Sequence, residues 1–362
     1  MNTRLQKFEP FLVPGILLLI LVVDIIMVFL SQGTHGGADD INHYQLARYS
    51  FQHPRFLLDQ WGKPFFTAIM SPFAQLGFKG MQIANVFMGT ATAYLTYRMA
   101  RELKMQMPVV AIFLLISSPL YAVLMISGMT EIMFSLMLIA SILLFYRKNF
   151  FWSALLLSFM PFVRTEGVVI LPLFLVALAW QKQWKFIPFL FTGVLFYSIV
   201  GSFHFDDILW LFHKMPYKGN AQDIYGSGEL LHYVKASKLI FGLPLAVLML
   251  LGGLAWLSIP FREEGPDKRA HIKRAHIKKA FFKKDWLMEM LVVYLPFMVY
   301  FMAHSFVWWK GMGNSVGMIR VIIAVLPSAV LLGSLGWSRL LELLPVKLIW
   351  KQIFTGILAL VL

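Results

Sequence analysis

The sequence predicts an all-α, polytopic membrane protein, and three observations carry that prediction. Of its 362 residues, 59% are hydrophobic and only 14% are charged, whereas a water-soluble domain carries about 25% charged residues. The apolar residues gather into repeated runs long enough to cross a hydrocarbon layer roughly 30 Å thick. Basic residues collect in alternate short segments between those runs, the pattern that sets orientation in a membrane.

Residues 11–30 form the first run, with Arg4 and Lys7 ahead of it. Ser31-Gln32-Gly33 resembles a small-x-small cleavage site, but the run exceeds a signal-peptide core and favours a retained anchor with its amino terminus inside. Further apolar runs occupy 81–98, 108–126, 131–146, 151–163, 167–181, 186–203, 237–259, 287–305, 318–337 and 352 onward. With the first, they predict about eleven spans. Pro161, Pro172, Pro188, Pro244, Pro296 and Pro327 interrupt several of them, and each removes an amide from the helical ladder. Residues 63–70, Lys63-Pro64-Phe65-Phe66-Thr67-Ala68-Ile69-Met70, are too short and proline-led for a span and read as an interfacial or re-entrant helix. The chain reads as one module over 1–362. Its last run is still apolar at Leu362, which allows for a further carboxyl-terminal part.

Charge tests this topology independently of the span count. With the amino terminus inside, inner loops collect Arg98, Arg101, Lys104, Arg147, Lys148, Lys182, Lys185 and the run from Arg262 to Lys284. Outer segments collect Asp39, Asp40, Asp59, Asp206, Asp207, Asp223 and Glu229. The net charge of +14 therefore reflects loop placement, and nucleic acid is not an expected partner. The stretch 262–284 holds the tandem pentamer Arg269-Ala-His-Ile-Lys273 and Arg274-Ala-His-Ile-Lys278. It reads as a solvated cytoplasmic loop attracted to anionic membrane lipids. Cysteine is absent, which excludes a disulfide framework and thiolate metal sites.

Two outer segments, 31–80 and 204–236, are long enough to build a site, and seven of the nine histidines fall on the outer side: His35, His43, His53, His204, His213, His232 and His304. Just beyond the first run comes Asp39-Asp40-Ile41-Asn42-His43-Tyr44. Neighbouring carboxylates at a lipid boundary are costly unless they meet a cation or a substrate proton, so Asp39 and Asp40 are candidate catalytic acids. Helix capping is the competing reading, and it needs only one of them. Arg164-Thr165-Glu166-Gly167 joins two short apolar runs at their outer ends. Arg164 and Glu166 can pair with each other, yet a planar guanidinium also matches phosphate. Glu131 opens a span at the same level, where a helix-dipole contact is the plainer role. From His304 the chain runs through Trp308, Trp309 and Lys310 into a Gly-rich turn that ends at Arg320. The tryptophans suit an interfacial belt, whereas Lys310 and Arg320 around flexible backbone suit a phosphate. Asp206, Asp207, His204 and His213 offer further acceptor contacts or a divalent metal site, but their spacing matches no specific metal motif. Asp24, inside the first run, argues for an ion or proton path.

Taken in order, these residues resemble the polytopic, lipid-phosphosugar-dependent glycosyltransferases of the GT-C superfamily. The carriers are Asp39-Asp40 after the first span with Tyr44 nearby, Trp61-Gly62-Lys63-Pro64, the span-start Glu131, Arg164-Thr165-Glu166-Gly167 and the turn ending at Arg320. They are most similar to the bacterial branch that includes family-39-like mannosyltransferases. Val321 departs from the pattern, which usually has an aromatic there. The resemblance implies a site on the periplasmic face of a bacterial inner membrane, a polyprenyl-phosphate sugar donor, a glycan, lipid or protein acceptor, and an inverting transfer. It also implies Asp39 as the general base with Asp40 as its partner, and Arg164, Lys310 and Arg320 on the donor phosphate. His43, Tyr44, Glu131, Glu166, Asp206, Asp207 and His304 are then expected to orient the substrates. The rival class is a transporter or flippase of lipid-linked glycans, supported by Asp24 and the broken helices; transporters often carry internal repeats, and none is evident.

Overall fold

The computed structural model describes residues 4–216, 225–258, 286–313, 315–344 and 346–362. The predicted basic loop from Arg262 to Lys284, with its tandem pentamer, and Asp223 lie outside the described residues. What is described is all-helical, with 17 α-helices joined by 3-10 turns and one π-helical turn. The first seven are α1 (Arg4–Leu30), α2 (Ala38–Tyr49), α3 (Pro64–Ala74), α4 (Phe78–Glu102), α5 (Val110–Ile116), α6 (Pro119–Met125) and α7 (Thr130–Tyr146).

Length and apolarity mark an integral membrane protein. Four segments are long and apolar enough to cross a bilayer: Leu12–Leu30, Trp184–Phe205, Trp286–Lys310 and Ile319–Leu343. A fifth arises if α6 and α7, bent by 106° at their junction, count as one broken span. Eleven full spans are not shown: several of the other apolar helices are shorter than a crossing, and proline breaks some of the predicted runs. Run 108–126 splits at Pro119, which begins α6, and run 151–163 ends in a 3-10 turn at Pro161. Run 318–337 falls on one of the four segments, although it opens as a 3-10 turn and becomes α-helical only at Leu326-Pro327. Pro is tolerated at a helix's first turn, where its missing amide has no partner to lose.

Packing separates lipid-facing helices from those that build the interior. Helix α1 is mostly uncovered, with Leu18, Leu19 and Leu30 all exposed, which suits contact with acyl chains. Asp24 lies half-buried on this helix. By contrast α7 packs against α4 and against the turn Ile319–Val325, burying Phe134, Leu138 and Ile142. Helix α4 is the polar member of the interior. Its fully buried Gln82 and Asn85 donate to Ile126 O at 2.8 Å and to Ser127 O at 2.8 Å, satisfying carbonyls freed by the α6–α7 break. The helices Leu243–Ser258 and Leu326–Leu343 approach so closely that a Cβ on Gly252 would strike Leu332 O, and one on Gly336 would strike Leu248 O. Small residues allow that backbone contact in a membrane interior.

The two long segments around the site are tied to each other and to the Gly-rich turn. Trp210, fully buried, donates its indole N–H to Tyr197 O at 2.8 Å, and Gln60 Nε2 donates to Leu211 O at 3.2 Å. Gly228 N donates to Trp308 O at 3.1 Å, while His232 Nε2 lies 2.8 Å from Gly317 O. The predicted interfacial helix is α3, which packs back against α2.

Candidate active site

The site grows from four helix boundaries that meet. Gly37, at φ 72°, is the N-cap of α2, so neither aspartate takes the capping place that sequence offered them. Asp39 and Asp40 instead stand in the first turn, where acidic groups suit the positive end of the helix dipole. Glu131 occupies the same place in α7. Arg164 precedes the 3-10 turn Thr165–Val169 in extended backbone. Arg320 lies in the turn that opens the span Ile319–Leu343.

These boundaries enclose a cavity of about 610 Å³, lined by Asp39, Glu131, Arg164, Glu166 and Arg320 together. Glu131 is the hub. Its side chain is fully buried, and its Oε1 lies 2.8 Å from Arg164 Nη1 and 3.7 Å from Arg320 Nε. Arg164 spends every face of its guanidinium: Nη1 donates to Thr130 Oγ1 at 3.1 Å, Nη2 to Glu166 Oε1 at 2.9 Å and Nε to the Tyr300 hydroxyl at 3.3 Å. Such a fully engaged, planar cation is held in one orientation. Arg320 donates to Gly36 O at 2.8 Å through Nη1 and pairs through Nη2 with Asp39 Oδ2. Asp39 is the most accessible of these carboxylates together with Glu166, at 32% and 31% side-chain exposure.

The structure separates the two aspartates. Asp40 is fully buried and outside the cavity lining; its Oδ2 accepts from the amides of His35 at 3.1 Å and Gly36 at 2.9 Å. It shapes the loop that offers Gly36 O to Arg320. His43 does line the cavity, buried and stacked on Trp61 with ring centroids 5.0 Å apart. Burial first, then the nearby Lys63 and Arg164 charges, push its pKa down to about 3, so it stays neutral at physiological pH. His304 also lines the cavity, with Nε2 3.6 Å from Glu166 Oε1.

Other expected residues lie elsewhere. Tyr44 packs edge-on against Phe78, at 5.6 Å between centroids. Lys310 Nζ sits over the Trp309 ring at 3.7 Å, a cation–π contact at its helix end. Asp206 closes the helix Thr192–Phe205 in left-handed backbone, φ 52°. Asp207 Oδ2 lies 2.7 Å from His213 Nδ1. None of these lines the cavity. No group of three or more His, Asp or Glu side chains is arranged to hold a metal ion among the described residues.

Sequence reasoning missed Tyr233 and Tyr300 and gave Trp61 and Lys63 no site role beyond carrying the resemblance, yet all four line the cavity. Lys63 is the most informative. It sits at φ 66° immediately before α3, a left-handed conformation that costs energy for a side-chain-bearing residue and recurs at functional sites. Its side chain is buried, with Nζ donating to Thr165 Oγ1 at 3.0 Å. Burial pushes its pKa down to about 8, aided by Arg164 and opposed by Glu166 and Asp59. The signal available in sequence was a lysine placed directly before a proline-led helix in a segment already marked as unusual.

No protein-family model, curated protein or solved structure matches the chain.

Proposed function

We propose that the protein is an integral-membrane glycosyltransferase of the GT-C type, using a polyprenyl-phosphate-linked sugar at a site on the periplasmic side of a bacterial membrane. The supporting observation is one cavity in which an accessible carboxylate, Asp39, lies among Lys63, Arg164 and Arg320. A cation-rich pocket at helix boundaries suits a lipid phosphate, and the carboxylate beside it suits proton removal from an acceptor. In this reading the shorter apolar helices complete about eleven crossings, several of them broken by proline.

The chemistry balances as an inverting displacement. Asp39 accepts the proton of an acceptor hydroxyl, the hydroxyl oxygen bonds to the anomeric carbon, and the bond from that carbon to the donor phosphate oxygen breaks. The electron pair leaves on the polyprenyl phosphate. Three cations face three carboxylates across the cavity: Lys63, Arg164 and Arg320 against Asp39, Glu131 and Glu166. A phosphate entering this balanced set competes with Asp39 for Arg320. Capture of Arg320 by phosphate frees the Asp39 carboxylate for its proton. Glu131 and Glu166 hold Arg164 in orientation, and preorganised charge of this kind needs no rearrangement as the leaving group forms.

The test is direct. Purified protein in lipid nanodiscs is incubated with a panel of polyprenyl-phosphate sugars, and both free polyprenyl phosphate and sugar-bearing products are followed. Sugar transfer supports the reading. Movement of an intact lipid-linked glycan across the bilayer, with no carbon–phosphate-oxygen bond broken, would replace it with a flippase.

A further inference from the structure

A second concavity adjoins the first and is not used by the mechanism above. It is an open groove of about 560 Å³ whose walls include Asn42, Gln45, Tyr49, Phe56, Asp59 and Trp61. Trp61 lines both spaces, which therefore meet at this residue. Helix α2 serves both as well. Asp39 and His43, four residues apart, face the catalytic cavity, while Asn42, Gln45 and Tyr49, spaced by three and four, face the groove. From Tyr49 back to Asp39 the helix rises about 15 Å, the length of an oligosaccharide rather than of a single sugar.

We infer that this groove binds a neutral saccharide chain and, resting on the glycosyltransferase reading, delivers its terminal hydroxyl past Trp61 to Asp39. The lining chemistry selects that class. Two carboxamides, Asn42 and Gln45, each offer donors and an acceptor, matching hydroxyls that are donor and acceptor at once. Asp59 is anchored by the Gly62 amide, which donates to its Oδ1 at 2.7 Å, and a carboxylate accepts from hydroxyls while repelling anions. Tyr49, Phe56 and Trp61 supply ring faces whose negative charge meets the slightly positive C–H face of a pyranose. Neither Lys nor Arg lines the groove among the described residues, in contrast to the cation-rich catalytic cavity. That contrast separates a site for phosphate from a site for an uncharged glycan. An acyl chain would leave the carboxamides and the carboxylate without partners. Asn42, Gln45 and Tyr49 are exposed, so the groove is reached without moving the fold.

The experiment measures binding apart from turnover. The full chain in nanodiscs is titrated with maltotriose, cellotriose, mannotriose and N-acetylchitotriose by saturation-transfer NMR, and with polyprenyl phosphate by calorimetry. At least one trisaccharide should bind, and the double variant Asn42→Ala/Gln45→Ala should weaken it roughly 5- to 30-fold, two lost hydrogen bonds at about 0.5–1 kcal/mol each. Polyprenyl phosphate affinity should not change, which confirms that the variant is folded. Absence of binding by every trisaccharide, equal binding in wild type and variant, or equal binding of a trigalacturonate would overturn the inference, as would displacement of the sugar by a simple alkyl chain. The two readings fail separately. Trisaccharide binding in a protein that neither binds polyprenyl phosphate nor transfers sugar keeps the groove and rejects the transferase; transfer without any saccharide binding does the reverse.

Discussion

Replacing Asp39 by Asn separates catalysis from structure more cleanly than any other change at this site. Asparagine keeps the size of the side chain and an oxygen that accepts from Arg320, but it cannot hold the proton of an acceptor hydroxyl. The stability cost should be small. Asp39 and Arg320 retain 32% and 20% side-chain exposure; exposed ion pairs contribute about 0–1 kcal/mol, and in the variant this part-buried Arg320 keeps an oxygen acceptor. Loss of a general base, in contrast, lowers rates by about 10²- to 10⁴-fold, equivalent to roughly 2.7–5.4 kcal/mol of barrier. The two magnitudes do not overlap, so one variant decides between them. If the protein is the proposed glycosyltransferase, single-turnover sugar transfer in nanodiscs should fall by that factor. Thermal unfolding and donor affinity should stay close to wild type. If Asp39 only steers Arg320 and α2, the amide oxygen does the same work and transfer should survive. Near-normal turnover by folded Asp39→Asn protein would therefore refute the assignment of the base.

Glu131 should behave in the opposite way, because it is fully buried between Arg164 and Arg320. Glu131→Gln leaves two cations short of a counter-charge, and breaking a buried pair from one side costs about 3–5 kcal/mol; a clear drop in unfolding midpoint is expected, and an unchanged midpoint would show that the pair is hydrated. Lys63 predicts a pH dependence. Its folded pKa lies near 8, below the ordinary 10.5, so its charge is present below pH 8 and lost above it. If the charged form is the one that holds phosphate, polyprenyl phosphate affinity should weaken about tenfold between pH 7 and pH 9 by proton linkage, and Lys63→Met should flatten that profile in calorimetry. Gly336→Val should destabilise the helix pair, since even a Cβ there meets Leu248 O. Overpacking typically costs about 1–3 kcal/mol, read as a lower unfolding midpoint with the Asp39 cavity untouched.

Much of the site was legible because a membrane sorts residues by depth. Glu131, the Arg164–Glu166 stretch, His304 and Arg320 come from separate parts of the sequence, yet each falls at the end of an apolar run on the same predicted side. Charged groups at that level need partners, and a shared level brings them within reach of one another. The cavity they line is the physical counterpart of that pattern. The number of crossings was less legible. Hydropathy counts apolar residues without regard to whether a helix survives its prolines, and α5 and α6 divide at Pro119 where the sequence reads as one continuous run. Lys310 shows a related limit: its position beside a Gly-rich turn says nothing of which way a flexible stem folds, and here it lies over Trp309.

Asp39 and Asp40 mark the boundary between what composition implies and what helix phase decides. As a pair they read as two catalytic acids, because both have the same chemistry and the same depth. On a helix, however, adjacent side chains diverge by about 100°, so a cavity on one side of α2 can receive only one of them. The phase is fixed by the helix start at Gly37, whose positive φ ends the preceding loop. It turns Asp39 towards Arg320 and Asp40 towards the amides of His35 and Gly36. The second aspartate thereby gains a different role. By holding that loop, Asp40 fixes the Gly36 carbonyl that accepts from Arg320 Nη1, and so helps set where the guanidinium stands. The acidic pair works as one carboxylate facing the cavity and one bracing the loop behind it.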